Sequence, residues 1–252
     1  MNAVLRATGL SKHFGGVHAI RNISFAIAAG KITGIVGPNG AGKTTLFDLL
    51  SGFVAPDCGE VRLGDALLTG KSADQIANMG CARTFQLCRP FAGLSVIQNV
   101  MVGCLAPRAR NHKTTHARAL GILEDVDLLN KASLSARALS QGDLRRLEIA
   151  RALGTKPRLL LLDEPFSGLG AHEAEILSAL IARLNRQEEL TVLMIEHRLR
   201  DLMSLVERLL VMDSGKVIAD GEPDAVMREP SVVAAYIGTQ ENGDAAARDK
   251  GP

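Results

Sequence analysis

Tryptophan is missing from this sequence, and aromatic residues make up only 3% of it. So sparse a set disfavours a groove that stacks bases or sugars on aromatic faces. An excess of either charge is lacking as well: 29 basic against 27 acidic residues leave a net +2. No whole-molecule attraction to a polyanion is implied, and nucleic acid is not expected as a partner. No apolar run approaches the ~18 residues of a membrane span, and the opening MNAVLRATGL has no apolar segment of the secretory kind. The four cysteines, Cys58, Cys81, Cys88 and Cys104, form no C-x-x-C pair, which argues against a metal or redox site. They read instead as small buried hydrophobes in a reducing cytosol. What is present is core material: 46% of the 252 residues are hydrophobic and 22% charged. Those proportions suit a soluble globular chain, as one large domain or a large lobe with a smaller one attached.

Along the chain, VLRATGLSKHF and HAIRNISFAIAAGKITGIVG read as β-rich segments. ITGIV at 32–36 is an apolar, β-branched run suited to a buried parallel strand. A helix is expected over about 43–51, and GEVRLGDALL alternates like a hairpin. Capping boxes at Ser72 and Gln75, and at Ser95 and Gln98, open two further helices. Residues 104–138 look helical and carry a basic stretch at 107–118, either a solvated face or a contact for lipid headgroups or a partner. Strand and helix patterns then alternate through LRRLEIARAL, RLLLLDEP, AHEAEILSALIARLNRQ, LTVLMIEH and ERLLVMDSGKVIADG. This alternation predicts an α/β fold with a doubly wound, mostly parallel sheet.

Residues 37–44, GPNGAGKT, fit G-x-x-x-x-G-K-[ST] between a strand and a helix. Gly37, Gly40 and Gly42, with Pro38, Asn39 and Ala41 between them, permit turns that aim backbone N–H groups inward as an anion nest. The helix N-terminus adds partial positive charge. Lys43 supplies a full charge for the β and γ phosphates of ATP, Thr44 a hydroxyl for Mg²⁺, and Thr45 reaches the α phosphate. In RLLLLDEP an apolar strand ends in Asp163 and Glu164, two acids at the sheet edge where ligands bind. Burying both is costly without a cation. Asp163 suits the hydration shell of Mg²⁺, and Glu164 suits activation of the attacking water. A third element, LSQGDLRRLEIARAL, reads as a capping box before a helix, Ser140 to Asp143, and also as a second anion site carrying a glycine.

The order of these elements, from about residue 4 to 238, resembles the nucleotide-binding subunits of ABC transporters. That resemblance implies a P-loop NTPase-type sheet with an N-terminal antiparallel β subdomain and an inserted helical subdomain at about 87–155. The cassette spans 1–238, and a polar tail, 239–252, is expected to be disordered. It also implies roles. Gln86 in RTFQ matches the Q-loop, touching the metal and linking to the helical subdomain. Ser140, Gln141 and Gly142 match the signature that faces the γ phosphate held by a second chain, identical or a paralogue, in a head-to-tail dimer. SGLG lies at the D-loop, and His197 in MIEH matches the switch histidine. Phe14 in SKHFGG falls where an aromatic stacks on adenine, unless it is simple core. Further partners implied are membrane permease subunits and a periplasmic or extracellular solute-binding protein, with the ATPase peripheral on the cytoplasmic face of the inner membrane.

Within the family, GPNGAGKTTLFDLLSGF, ARTFQ, GLSVIQNVMVG, RRLEIARAL and GEPDAVMREPSVVAAYIG resemble the branched-chain amino acid uptake ATPases. Importers of urea and short amides look similar. A soluble ABC ATPase would carry two cassettes or a long coiled-coil insert, and a purely regulatory module would lack Glu164 or His197. Two departures stand out. Asp143 replaces the usual glutamine of the signature, with Gln141 where glycine is common, and Gly170 replaces the acidic or amide residue of the D-loop. A carboxylate ~4 Å from a phosphate charge would repel it by about 4 kcal/mol at an effective dielectric of 20. Asp143 is therefore expected to turn away, beside Arg145 or Arg146 or toward a ribose.

Overall fold

In a computed structural model, residues 3–106 and 114–236 are described. Most of the basic stretch and the tail beyond 236 lie outside them. The chain opens with β1 (Ala3–Phe14) and β2 (Val17–Ala28), then β3 (Ile32–Val36) leads through the glycine loop into α1 (Lys43–Leu50). β4 (Cys58–Leu63), β5 (Ala66–Leu67), α2 (Ala73–Met79) and β6 (Cys81–Arg83) follow. Three helices come next, α3 (Val96–Cys104), α4 (Thr115–Asp125) and α5 (Gln141–Gly154). The chain re-enters the sheet at β7 (Leu159–Asp163), then continues through α6 (Ala171–Glu188), β8 (Thr191–Ile195) and α7 (Leu199–Met203). It closes with β9 (Arg208–Asp213), β10 (Lys216–Gly221) and the short α8 (Pro223–Val226).

Two sheets result. β2-β1-β4-β5 is antiparallel, and β10-β9-β3-β8-β7-β6 is parallel except for β10. The mostly parallel α/β architecture expected from the strand–helix alternation is therefore observed. The continuous apolar runs of the parallel strands have a simple cause, which is that both faces of this sheet are covered. Leu160 and Leu162 of β7 and Val192 and Met194 of β8 face the larger core, among α3, α5 and α6. Leu159, Leu161, Leu193 and Ile195 face the other core, formed with α1 and the antiparallel sheet. Each Leu withdrawn from water contributes roughly 1.5–3 kcal/mol, so the LLLL run pins β7 at the sheet's interior.

The helix starts follow the sequence. The Ser95 hydroxyl accepts from the Gln98 N–H at 3.3 Å, and the Gln98 side chain accepts from the Ser95 N–H at 2.8 Å. Gln75 likewise accepts from the Ser72 N–H at 3.0 Å. The expectation of four buried cysteines is met only by Cys81 and Cys104. Cys58 is exposed, because it begins β4 beyond the reach of the two-residue β5. Cys88 is half-buried and its thiol donates to Glu148 at 3.2 Å.

Candidate active site

Strand register builds the site. Ile35 of β3 pairs with Ile195 of β8, which pairs with Asp163 of β7. The three strands end level, so the residues that follow each of them leave the sheet along one edge, the side where ligands bind in open α/β sheets. A cleft of about 430 Å³ opens there, with the glycine loop on one wall and Glu164 and His197 on another. Val17, His18 and Arg21 of β2 line its third side.

The loop conformation requires glycine at two positions in particular. Gly37 has φ +150°, and a Cβ there would lie 2.0 Å from the Met212 carbonyl oxygen. Gly42 has φ +99°, with the Ala19 carbonyl oxygen 2.5 Å from any Cβ. Between them the N–H of Ala41 donates to the Pro38 carbonyl at 3.2 Å, while Asn39 and Gly40 are exposed. Gly42 caps α1 without a side chain, and the N–H groups of Gly42, Lys43, Thr44 and Thr45 have no backbone acceptor among the described residues. Lys43 is buried, and its ammonium donates to the carbonyls of Gly37 at 2.7 Å and Pro38 at 2.9 Å. Burial pushes its pKa down, while the charges of Glu164 and Asp163 push it back up. An uncapped helix start beside a buried cation is an anion site.

Glu164 sits in the left-handed region, φ +49°, a conformation that costs energy for a non-glycine residue and concentrates at functional sites. Its carboxylate is held on both oxygens, by His197 Nε2 at 2.6 Å and by Gln86 Nε2, which donates at 2.8 Å. Asp163 is nearly fully buried, which raises its carboxyl pKa, and Arg83 opposes the shift through a 2.8 Å ion pair. Thr44, Gln86 and Asp163, the residues expected at Mg²⁺, line one adjoining hollow of about 530 Å³. Their donors are a hydroxyl, an amide and a carboxylate. All three offer oxygen, the chemistry of a hard dication completed by phosphate and water.

The signature residues stand apart. Ser140, Gln141 and Gly142 line neither hollow. Ser140 caps α5, accepting from the Asp143 N–H at 3.2 Å, and a Cβ on Gly142 would lie 2.9 Å from Glu173 Oε1. The reciprocal half of the expected capping box is not made. Asp143 is buried, and its carboxylate pairs instead with Arg146 at 2.5 Å and with Lys131. Burial alone would raise its pKa, but hydrogen bonds from Lys131 and Ser140 and the charge of Arg146 bring it below the ordinary carboxylate value. Arg145 turns elsewhere, to the carbonyls of Phe85 at 3.3 Å and Ser167 at 3.1 Å. Phe14 is 49% exposed at the end of β1, which removes the core alternative. It stands outside the residues lining the cleft, with the Lys12 ammonium 5.5 Å from its ring.

Two residues that sequence reasoning misses complete the edge. Glu196 is buried and accepts from the N–H groups of Phe166 at 2.7 Å, His197 at 3.0 Å and Arg198 at 3.4 Å. It ties the loop after β7 to the loop after β8. Burial raises its carboxyl pKa against those three donors. Its signal is present in MIEH, an acid directly after an apolar strand. Arg83 is the other, and its partners come from segments too distant for any local signal.

A family model described as ABC transporter matches residues 20–167. The chain is 39% identical, over 93% of its length and 98% of the relative's, to the high-affinity branched-chain amino acid transport ATP-binding protein LivG of Salmonella typhimurium. It is 37% identical, over the same shares, to the corresponding protein BraF of Pseudomonas aeruginosa. Among solved structures, an ATP-binding cassette of an ABC transporter in its ADP conformation superposes with a TM-score of 0.86 at 31% identity, covering 94% of this chain and 100% of that one.

Proposed function

The chain belongs to the ABC transporter family, and we propose that it is the ATP-hydrolysing subunit of an importer for branched-chain or other hydrophobic amino acids. The level ending of β3, β8 and β7 carries the catalytic part of the reading, because it sets Lys43, His197 and Glu164 around one cleft. The likeness to LivG and BraF, both named for branched-chain amino acid transport, supports the substrate class.

ATP enters the cleft with its phosphates on the α1 N-terminus. Lys43 exchanges the Gly37 and Pro38 carbonyls for β and γ phosphate oxygens, and the free N–H groups of the glycine loop donate alongside it. Thr45 takes the α phosphate, and Phe14, exposed at the rim, meets the base. Mg²⁺, held by Thr44 and Asp163 with Gln86 beside them, would supply charge neutralisation on the phosphoryl oxygens. Glu164 accepts the proton of the attacking water. His197 keeps its carboxylate aimed through the 2.6 Å contact.

The signature residues Ser140, Gln141 and Gly142 serve the γ phosphate of a second chain. Their position away from the cleft of their own chain supports this. Gln86 stands on the loop into α3, next to exposed Phe85 and Leu87, a surface suited to permease subunits. No helix among the described residues is long and apolar enough to cross a membrane. We place the subunit on the cytoplasmic face of the inner membrane, attached through the permease, with a solute-binding protein delivering substrate from outside.

The test is transport. The chain, co-expressed with permease and solute-binding subunits of a branched-chain amino acid importer, should support uptake of labelled leucine and not of labelled urea. Glu164→Gln should abolish that uptake. Urea or amide uptake without leucine uptake would reject the substrate class, and full uptake with Glu164→Gln would reject the catalytic role.

A further inference from the structure

In a chain so poor in aromatics, three of the seven phenylalanines surround a single guanidinium. The Arg83 carbon lies 5.3 Å from the Phe85 ring centre, 5.6 Å from Phe47 and 5.7 Å from Phe53. Its side chain is 6% exposed, and its Nε has no hydrogen-bond partner among the described residues. Both terminal nitrogens are engaged. Nη1 donates to Asp48 at 2.6 Å and to Ser51 at 3.0 Å, and Nη2 donates to Asp163 at 2.8 Å.

Those partners have a meaning in the helix. Thr44, Asp48 and Ser51 are spaced i, i+4 and i+7, so they share one face of α1 and its C-cap. The guanidinium thus holds that face at a set distance from the end of β7. Thr44 and Asp163, which the proposed function gives to Mg²⁺, sit one on each of the two elements so joined. The planar fork can reach both at once, which a lysine's single ammonium cannot.

We propose that Arg83 is a positioning residue for the metal site: it sets the spacing of Thr44 and Asp163 and fixes Asp163 through one oxygen, leaving the other for the cation. This rests on the reading of Asp163 as a metal residue. A cation parked beside a metal carboxylate also competes with the metal, and the geometry favours positioning. Asp163 is buried and would otherwise be free to rotate, and the ring frame with the Asp48 and Ser51 contacts holds the guanidinium in place at one of its oxygens.

The test is the Mg²⁺ dependence of nucleotide binding, with no turnover involved. Binding of a non-hydrolysable ATP analogue is titrated with Mg²⁺ in the wild type, Arg83→Met and Asp48→Asn, with thermal unfolding recorded beside it. In Arg83→Met the half-saturating Mg²⁺ should rise at least tenfold, while analogue affinity in EDTA changes less than threefold. Asp48→Asn, which loosens one anchor and leaves Asp163 untouched, should raise it about threefold. It carries the test if Arg83→Met does not fold. An unchanged Mg²⁺ requirement with only a lowered melting temperature would overturn the proposal, and so would a lower requirement, which would make Arg83 a competitor of the cation. If Mg²⁺ fails to tighten binding even in the wild type, the metal reading of Asp163 fails instead.

Discussion

Two helix N-termini in this chain are both suited to an anion, and they are built in opposite ways. At α1 the cap is Gly42, with no side-chain acceptor, four N–H groups without a backbone acceptor and a buried lysine alongside. At α5 the cap is Ser140, whose hydroxyl already satisfies the Asp143 N–H, and the nearest acid is neutralised by Lys131 and Arg146. The first end is left unsatisfied inside its own cleft. The second has one N–H group satisfied by its own cap and its neighbouring cations paired to Asp143, and it lies outside that cleft. Only the α1 end is therefore organised to hold a phosphate unaided, whereas the α5 end can add its donors only to a nucleotide brought to it.

The two ends can be disabled separately. Ser140→Arg should have the largest effect on turnover: ATPase activity falls at least a hundredfold while ATP affinity of the isolated chain stays within threefold. A matching loss of affinity in an equilibrium titration would place Ser140 in its own chain's cleft. Lys43→Ala should act on the other end, weakening ATP binding by about 2–3 kcal/mol, the scale of a charge-assisted contact. Its thermal stability should hold, since the lysine's present acceptors are loop carbonyls that water can reach once it is gone.

Asp143→Asn should probe the α5 end by a smaller step. It leaves Lys131 and Arg146 without their acid, so stability should fall by about 1–3 kcal/mol in chemical denaturation, with ATPase activity changing less than tenfold. A large rate gain would show the acid restraining the α5 end from phosphate. The same variant should reshape the pH profile. The folded-state pKa of Asp143 is depressed, so its stabilisation is fully present above the unfolded value of about 3.9 and is lost as pH falls below it. In Asp143→Asn the acid limb of a stability–pH curve should be correspondingly flatter. Ser140→Ala should give the smallest change in folding, about 1 kcal/mol for a lost cap.

Much of the site is legible in short stretches of sequence. The glycine loop, the apolar strand ending in Asp163 and Glu164, and His197 after another apolar strand are local patterns, and each falls at the sheet edge as expected. The partners of Asp143 are half legible, since Arg146 lies one turn away on the same helix, but Lys131 does not. Phe14 reads as an adenine-stacking aromatic with simple core as the alternative, and a single aromatic at a strand end gives no periodicity to decide between them. Cys58 departs from expectation because burial at a strand's first residue depends on how far its neighbour extends. Glu196 escapes notice because its tie to the other loop, the Phe166 N–H, lies 30 residues away, and no local pattern announces that approach.

Chain chemistry over short range is enough for the strand–loop–helix unit at 32–50, for the identity of the strands buried on both faces, and for the family. The causes are apolar runs, turn residues and caps within a few positions of one another. Only the folded chain places β8 between β3 and β7 with Ile35, Ile195 and Asp163 in register. Only folding brings Arg83 to Asp163 across 80 residues. Strands that are apolar throughout carry little in their own pattern to choose a neighbour or a register. That choice is made by the helices and the second sheet that cover both faces, and it is what turns scattered polar residues into one site.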